Sequence, residues 1–590
     1  MKWLAPLLVL AGCLEIPKPP GQECATDSDC NTGAGEVCEQ GVCWGNPPMG
    51  VYAATLSPPA VREELVATEI PALALPANGW LGDLTLETPV TISGRVEALC
   101  PASQSVCPTL SIAAEIRITR PARFSGGPAV RLSAQSKAGM PRGTDSFSIR
   151  IPRTQPGDPP YKVTIDPDGG ADMPPAHGGK DPAELVPPRR ILLDASTDIE
   201  HQTYTVGSTA PMTISGTLKD PLAGPLTSYR VVALGRWDLT SSPTEVSSVC
   251  FSTDGTYSIQ LSEGIVGPIE LVAKPYDPNA VAPELHMSNL AAYGPQIRNI
   301  TQPTGLGSRV DLAFKVEAYL SSEGSVKPVS GARVQIVGSI DSGGTPGVRA
   351  VMSALTTTGD DGMAHLSVLD GSALAASYRM HAVPPAGSTF GVIYGASVVL
   401  NSPPTVRLPP RVKIGGTVVD VHGDPIADVA VTARRSLRFL WSLEAPEQAF
   451  LDEIPAATAI TPVGGEFSVW VDPTVADAWG HYDVFFETPE GSSSPDWEIP
   501  DFEIPRVTTQ KEITLGDVQI PDAAYLHGNI VDGNGMIVEG SLLRVFQLST
   551  NDDVCREVLN APEECEGDAK VMGHGESDAQ GTVRFTLPRP

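Results

Sequence analysis

One short stretch of the sequence contains several side chains that can bind metal ions. Nine positions provide three carboxylates and one imidazole, from Asp420, His422, Asp424 and Asp428. Carboxylate oxygens and imidazole nitrogens are common ligands of divalent cations. The same residues lie between two apolar runs, and Asp and Gly are also the residues that form tight turns. The stretch therefore fits either a metal site or the tip of a β-hairpin.

A repeated pattern decides between these interpretations. Five similar segments, about 100 to 120 residues apart, start at Ile92, Ile214, Leu312, Ile414 and Leu526. Each begins with an alternating strand, continues through a turn and enters a second strand rich in β-branched residues. Four copies have glycine at the third strand position, which indicates a bulge or a close backbone approach; these are Gly94, Gly216, Gly416 and Gly528.

The aspartate is the only polar residue of the cluster that recurs when the copies are aligned on this glycine. Asp420 matches Asp220 and Asp532. His422 matches Leu222 in one copy and asparagine in another. An aspartate at this place can accept hydrogen bonds from the backbone of its own turn. We therefore predict a hairpin turn and no metal site at this stretch.

Later in each copy, a second turn precedes an alternating strand, and four copies add a further strand that contains Tyr161, Ile269, Tyr378 or Tyr482. The combined pattern resembles the carboxypeptidase regulatory-like, or transthyretin-like, β-sandwich, which is close to bacterial immunoglobulin-like repeats. The resemblance implies an all-β fold of tandem seven-stranded antiparallel sandwiches after a small disulfide-rich segment. It does not imply peptidase activity, because this domain is an accessory in zinc carboxypeptidases.

The first thirteen residues form a secretory signal, with Lys2 followed by an apolar stretch. Its end, Leu10-Ala11-Gly12-Cys13, resembles the bacterial lipobox. The resemblance implies cleavage before Cys13 and acylation of that residue, so that the membrane would be a partner through a lipid anchor. Leu14 favours the outer membrane by the same resemblance, and the face of that membrane is left open. The alternative is an ordinary export signal.

The remaining cysteines fit an oxidising compartment. Four of them, Cys24, Cys30, Cys38 and Cys43, allow three connectivities, and we favour Cys24 with Cys38 and Cys30 with Cys43. This segment resembles short cysteine-rich modules of the Dickkopf or EB type. Two further pairs could each close a short loop, Cys100 with Cys107 and Cys555 with Cys565. Cys250 is left unpaired, and we expect a buried, inert thiol.

Other features argue against an enzyme or a nucleic-acid-binding protein. The net charge of -29 repels phosphates. Nine scattered histidines form no H-E-x-x-H motif, and phosphate-loop and G-x-S-x-G motifs are absent from the sequence. The loop with Asp166, Asp168 and Asp172 offers carboxylates for Ca²⁺, but it lacks the final glutamate of an EF-hand. We favour a solvated loop there and expect no cofactor.

These observations predict a domain order. It is a signal peptide (1–12), a lipid anchor with cysteine-rich segment (13–48), a Pro/Ala-rich tether (49–88) and sandwiches at 89–205, 206–300, 301–409, 410–519 and 520–590. The last copy stops early, so it is either short or open at one edge. We expect a rod-like envelope protein with a structural or adhesive role toward a protein or polysaccharide. The alternative is a carbohydrate- or metal-binding lipoprotein serving uptake or an envelope complex.

Overall fold

The computed structural model describes most of the chain after residue 23. The described ranges are 24–100, 107–167, 182–239, 242–277, 282–320, 325–341, 347–400, 405–443, 445–452, 454–476, 478–505, 512–548 and 569–589. Nearly all regular elements in these ranges are β-strands, which confirms the all-β fold. No helix within them is long and apolar enough to cross a membrane.

The first described residues form a small disulfide-linked segment. It contains two 3₁₀ turns, Asp27–Asp29 and Thr32–Ala34, and a hairpin of β1 (Val37–Glu39) and β2 (Val42–Trp44). Disulfides join Cys24 to Cys38 and Cys30 to Cys43, the pairing favoured from the sequence. Covalent links replace a hydrophobic core in a segment that is too short to build one.

Sandwich 1 shows the arrangement that recurs along the chain. Its elements are β6 (Val90–Leu99), β7 (Ala114–Arg120), β8 (Val130–Ser136), β9 (Phe147–Ile151), β10 (Tyr161–Asp166), α1 (Pro182–Leu185), β11 (Arg189–Leu193) and β12 (Ile199–Gly207). The four-stranded sheet has the order β11-β10-β7-β8, and the three-stranded sheet has the order β12-β6-β9. The last strand runs parallel to the first, which differs from the expected all-antiparallel pairing.

Sandwiches 2 and 3 share one sheet. Sandwich 2 has β13 (Met212–Asp220), β14 (Gly224–Pro225), β15 (Tyr229–Arg236), β16 (Thr244–Glu245), β17 (Cys250–Ser252), β18 (Thr256–Leu261), β19 (Val266–Pro275), β20 (Glu284–Leu290), β21 (Gln296–Ile297) and β22 (Ile300–Thr301). Sandwich 3 has β23 (Arg309–Leu320), β24 (Ser325–Pro328), β25 (Arg333–Asp341), β26 (Val348–Thr357), β27 (Met363–Leu369), a 3₁₀ turn (Ser372–Leu374), β28 (Ser377–Val383), β29 (Ile393–Val398) and β30 (Val406–Leu408). Strands β20 and β26 pair across the boundary, and one hydrophobic core runs from Ile214 to Leu408.

Sandwich 4 repeats the order of sandwich 1 and adds two helices. Its elements are β31 (Val412–Val419), β32 (Ala430–Arg435), α2 (Leu437–Trp441), α3 (Ala445–Asp452), β33 (Ala457–Ile460), β34 (Glu466–Val471), β35 (Thr474–Val475), β36 (Ala478–Trp479), β37 (His481–Glu487), β38 (Trp497–Glu503) and β39 (Glu512–Gln519). The two sheets have the orders β33-β32-β37-β38 and β34-β31-β39. The helices lie in the connection between the second and third strands.

Sandwich 5 is built from both ends of the chain. The C-terminal end supplies β40 (Ala523–Val531), β41 (Leu542–Gln547), β42 (Lys570–Glu576) and β43 (Thr582–Pro588), and the N-terminal segment supplies β3 (Tyr52–Ser57), β4 (Thr68–Leu73) and β5 (Trp80–Thr85). The sheet orders are β4-β3-β41-β42 and β43-β40-β5. When the strands are counted by their position within each sandwich, these orders are the same as those of sandwiches 1 and 4. The fifth, sixth and seventh strands of sandwich 5 come from the N-terminal segment.

Two expectations are therefore wrong. Residues 49–88 are not a tether, because three strands of sandwich 5 lie within them. Sandwich 5 is not left short or open at β41, because β3 pairs along that strand. The physical reason is burial: Leu526 and Val545 form one core with Tyr52 and Leu56 and would otherwise face water.

The five sandwiches form a closed circuit of contacts and not the expected rod. Arg190 of sandwich 1 donates to Asp238 of sandwich 2 over 3.0 Å. Sandwiches 2 and 3 share a sheet, and the Val392 amide of sandwich 3 donates to Asp472 of sandwich 4. Sandwich 4 contacts sandwich 5, and Phe546 of sandwich 5 packs on Phe124 of sandwich 1.

The strand glycines mark a close approach between the first and last strands of a sandwich, as predicted. A Cβ atom at Gly94 would lie 2.2 Å from the carbonyl oxygen of Gln202, and one at Gly216 would lie 1.6 Å from that of Arg298. Register shifts mark this position in sandwiches 1, 4 and 5. Sandwich 3 has Phe314 at the corresponding place, and the described pairing of its last strand begins at Val316.

Candidate functional site

The polar cluster that opens the question of metal binding is a hairpin turn. The Asp420 carboxylate accepts hydrogen bonds from the amides of His422 (2.8 Å) and Asp424 (2.9 Å). Asp532 accepts from the amides two and four residues later in the same way. Asp220 accepts from the amides two and three residues later. The recurring aspartate therefore shapes the turn, as predicted, and the antiparallel bridge of Val419 with Pro425 closes it. The two apolar runs do not form one hairpin, because β31 and β32 lie in different sheets.

A group of three potential metal ligands occurs in the disulfide segment. The sulfur atoms of Cys24, Cys30 and Cys43 lie within 4.8 Å of one another. All three are in disulfides, so they offer no thiolate to a metal ion. This group therefore reflects two neighbouring crosslinks and does not form a metal centre.

The remaining predicted site residues are only partly described. Cys100 is bonded to Cys107. Asp166 ends β10 and accepts a hydrogen bond from Arg117 over 2.5 Å; burial raises the pKa of its carboxyl group, and Arg117 opposes this shift. Cys250 is partly buried against the core of sandwiches 2 and 3. Five predicted site residues lie outside the described ranges, namely Cys13, Asp168, Asp172, Cys555 and Cys565.

The structure brings together a set of residues that sequence reasoning missed. The N-terminal residues 49–88 meet the C-terminal residues 523–589 along two lines of strand pairing, and we call this interface the seam. In one sheet β3 pairs with β41 over six residues, from Tyr52 with Gln547 to Ser57 with Leu542. In the other sheet β5 runs parallel to β40. The seam thus joins the start of the chain to its end.

The disulfide segment caps one end of the seam. His527 of β40 lies between two tryptophan rings, with centroids 4.4 Å from Trp44 and 4.9 Å from Trp80. Burial lowers the pKa of this histidine. Arg589, next to the end of the chain, forms ion pairs with Glu36 and Asp522. The disulfide segment is therefore fixed to sandwich 5 and does not hang free from it.

Sandwich 1 is clamped to the N-terminal strands by buried ion pairs. Arg120 has a fully buried side chain and contacts Glu69 of β4 as well as Asp158, 2.9 Å away. Arg123 donates to Glu87 over 2.6 Å. Burial raises the pKa of Glu69, and the amide of Arg123 and the charge of Arg120 oppose this shift. Such pairs hold sandwich 1 and the N-terminal strands together as one unit.

A cleft lies where sandwiches 1, 4 and 5 meet. One cavity of about 380 Å³ is lined by Pro128 of sandwich 1, by Phe485 and Trp497 of sandwich 4 and by Arg544 and Phe546 of sandwich 5. A larger opening of about 1210 Å³ between sandwiches 1 and 5 shares three of these residues, namely Pro128, Arg544 and Phe546. Both volumes reach the range of ligand sites, which often occur at domain interfaces.

The cleft carries aromatic rings with cations over them. The guanidinium carbon of Arg434 lies 4.0 Å from the centre of the Phe485 ring, and the Arg434 side chain is 3.4 Å from Asp483. The Lys570 ammonium lies 4.8 Å from the centre of the Trp497 ring. Arg544 is exposed and lines both cavities. This surface therefore offers cations beside apolar area, together with the carboxylates of Glu487 and Asp496.

An ion pair between sandwiches 4 and 5 closes the inner side of the cleft. The buried carboxylate of Asp496 lies 2.8 Å from Nδ1 of His574 and accepts the amide hydrogen of Thr488 over 2.9 Å. The hydrogen bond to Asp496 raises the pKa of His574 and outweighs the opposing effect of burial. Asp496 is therefore held by contacts on both sides and positions two sandwiches relative to each other.

Comparisons with known proteins assign no family. No family model matches the chain, and no curated protein matches it. Among solved structures, the minor pilin GBS52 of Streptococcus agalactiae is 14% identical, with 36% of this chain and 96% of the pilin covered and a TM-score of 0.20. The streptococcal ancillary pilin is 10% identical (52% and 99% covered, TM-score 0.16), and the Bacillus anthracis TIE protein is also 10% identical (73% and 74% covered, TM-score 0.12). At such scores the likeness carries no inference about activity.

Proposed function

We propose that this protein is a lipid-anchored, non-catalytic component of the bacterial cell envelope with a structural or adhesive role. The observation that carries the proposal is the seam, because it turns five sandwiches into one closed body whose N-terminal end is built into its last sandwich. Because strands β3 to β5 complete the last sandwich, the five sandwiches are suited to keep a fixed arrangement.

The position of the proposed anchor strengthens this interpretation. Ten residues separate Cys13 from Cys24, and a fully extended chain of that length spans no more than about 40 Å. The disulfide segment is fixed to sandwich 5, so that sandwich would be held close to the lipid surface. Two or three acyl chains on Cys13 would give firm attachment, whereas one alone binds weakly.

The anchor is tested by labelling the bacterium with a palmitate analogue. Wild-type protein and the Cys250→Ala variant should carry the label and sediment with membranes. The Cys13→Ala variant should lose the label and move to the soluble fraction. Equal labelling of the Cys13→Ala variant would contradict a lipid anchor at this residue.

The cleft is the surface that we assign to partner binding. Its exposed Arg544 and the cation-covered rings of Phe485 and Trp497 suit an anionic partner, either a polysaccharide or an acidic protein surface. Binding of purified envelope polysaccharides to the intact protein should weaken in the Arg544→Glu variant. The matched Arg117→Glu variant changes an exposed cation outside the cleft and should bind as the wild type does. Equal binding by both variants would remove the cleft from the proposal.

The alternative of a carbohydrate-binding uptake protein is favoured by the aromatic lining of the same cleft. Short neutral oligosaccharides would then bind by stacking on Trp497. A glycan array on which binding disappears in the Trp497→Ala variant but persists in Arg544→Glu would support this alternative over the adhesive role.

A further inference from the structure

The seam has two complementary sides that belong to opposite ends of the same chain. The donor side is the N-terminal segment 52–85, and the acceptor side is the sandwich made by strands β40 to β43. Non-covalent contacts join the two sides: strand pairing, the shared core and hydrogen bonds such as that from Asn529 to Asp83, 3.1 Å long.

The donor side is a preformed unit. It is followed within five residues by β6 of sandwich 1, and it is clamped to that sandwich by the ion pairs of Arg120 with Glu69 and of Arg123 with Glu87. None of these partners belongs to the acceptor side, so they stay together whichever acceptor the donor strands occupy. Sandwich 1 therefore travels with the donor strands.

The acceptor side cannot remain empty. Without the donor, β41 and β40 would each have one unpaired edge, and the core residues Leu526, Leu543 and Val545 would be exposed to water. Exposed strand edges beside apolar surface attract any strand of matching pattern. The strand pattern that matches this acceptor is the one carried by residues 52–85 of every copy of the chain.

We propose that a second copy of this chain can supply the donor strands, so that closed single chains and head-to-tail assemblies are alternative products of the same seam. Each copy would give segment 52–85 to the acceptor of its neighbour and receive the segment of another copy in its own. Because donor and acceptor differ, the contact is heterologous, and it yields either closed rings of copies or open chains of them.

The protein concentration sets the ratio of closed single chains to head-to-tail assemblies. Closure within one chain costs the entropy of closing a long loop, and this cost grows only slowly with loop length. Closed single chains therefore predominate in dilute protein. Exchange between copies gains with protein concentration. On a membrane the proposed anchors would raise the local concentration and favour exchange, although exchange itself depends only on the seam.

The test places one cysteine on each side of the seam, at Thr55 and Arg544, which are opposite each other in β3 and β41. The full chain carries Thr55→Cys and Arg544→Cys in a background with Cys13→Ser and Cys250→Ser. It is refolded at about 1 µM and at about 100 µM with its native disulfides kept, then oxidised and denatured. A matched control carries Thr432→Cys and Phe485→Cys, which are opposite each other within sandwich 4.

We expect the fraction of covalent dimers and larger species in the seam variant to rise roughly tenfold or more between these concentrations, since exchange follows mass action. The control should form crosslinks only within single chains. Crosslinks confined to single chains in the seam variant at every concentration would overturn the proposal. If this variant does not fold, light scattering of refolded wild-type protein decides: multiples of one chain mass that persist on dilution support exchange, and single chains alone refute it.

Discussion

The backbone of Thr55 is paired in register with the backbone of Arg544, so a strand from the start of the chain lies beside one from its end. This pairing makes the two ends interdependent. Sandwich 5 cannot form until the chain has been synthesised as far as β43, and the segment nearest the proposed lipid anchor is part of the folded body.

Removing apolar contact at the seam should loosen sandwich 5. Leu56 is fully buried in the core that β3 shares with the C-terminal strands. We expect the Leu56→Ala variant to lower the free energy of opening of β41 by about 2 to 5 kcal/mol, the usual cost of a Leu-to-Ala change in a core. Hydrogen exchange of the β41 amides measures this quantity. The exposed Val61→Ala variant should change it little, and equal protection in the two variants would argue against the shared core.

The buried ion pair between Arg120 and Glu69 should be far more important than a similar pair nearby. The Arg120→Met variant leaves Glu69 buried without its partner, so we expect a loss of about 3 to 5 kcal/mol in stability. Arg117, three residues earlier on the same strand, pairs with Asp166 but is half exposed. The Arg117→Met variant should cost less than about 1 kcal/mol. Denaturant unfolding compares the two variants, and similar losses in both would contradict the assigned burial.

The joint between sandwiches 2 and 3 should weaken in alkaline solution. His286 of β20 lies between Glu270 (3.1 Å) and Glu284 (2.9 Å), close to where β20 pairs with β26. Burial acts to lower the pKa of His286, but the hydrogen bonds and charges of the two glutamates outweigh it and raise the pKa to about 9. Arg349 of β26 is opposite His286 of β20 in the strand pairing, and its side chain lies 3.5 Å from Glu270.

A histidine whose folded-state pKa is raised stabilises the fold fully below its unfolded pKa of about 6.5 and loses that contribution as the pH rises toward 9. We expect this loss to be roughly 3 kcal/mol, because each pKa unit corresponds to about 1.4 kcal/mol. The difference in unfolding free energy between the wild type and the His286→Gln variant should shrink over this range. A difference that stays constant from pH 6 to 10 would rule out the protonated pair.

The hairpin at Asp420 predicts opposite outcomes for two neighbouring substitutions. The Asp420→Ala variant removes the acceptor of two backbone amides and should cost about 1 to 2 kcal/mol. The His422→Ala variant should leave both the melting temperature and the metal content unchanged, because His422 contributes only its amide to the turn. A stoichiometric metal ion lost from the His422→Ala variant would restore the metal-site interpretation.

Local pattern was sufficient to predict the repeating unit. The spacing of Gly94, Gly216, Gly416 and Gly528 reflects a contact inside each sandwich, where the first strand meets the carbonyl groups of the last. The turn aspartates act locally, since they bond amides two to four residues away. The strand glycine and the turn aspartate recur at fixed places in short stretches of sequence, so a comparison of the copies finds them.

The closure of the chain was missed because its partners are almost a chain length apart. A signal was present: Tyr52 begins a strand with apolar residues at alternate positions, as Tyr161 and Tyr482 do near the start of the fifth strands of sandwiches 1 and 4. Proline and alanine around this segment suggested a linker instead. The shared sheet of sandwiches 2 and 3 and the cleft also depend on how whole sandwiches pack, which no single stretch of sequence records.

Residues 52–85 complete the last sandwich, and the distance between two spin labels placed across the seam measures this arrangement. Labels at the exposed positions Val61 and Met536 lie on the two sides of the seam, near the contact of Arg62 with Asp532. Doubly labelled chains, measured in dilute solution among excess unlabelled protein, should give one short, narrow distance distribution. A long and broad distribution would show that the N-terminal segment is a free tether and would contradict this account.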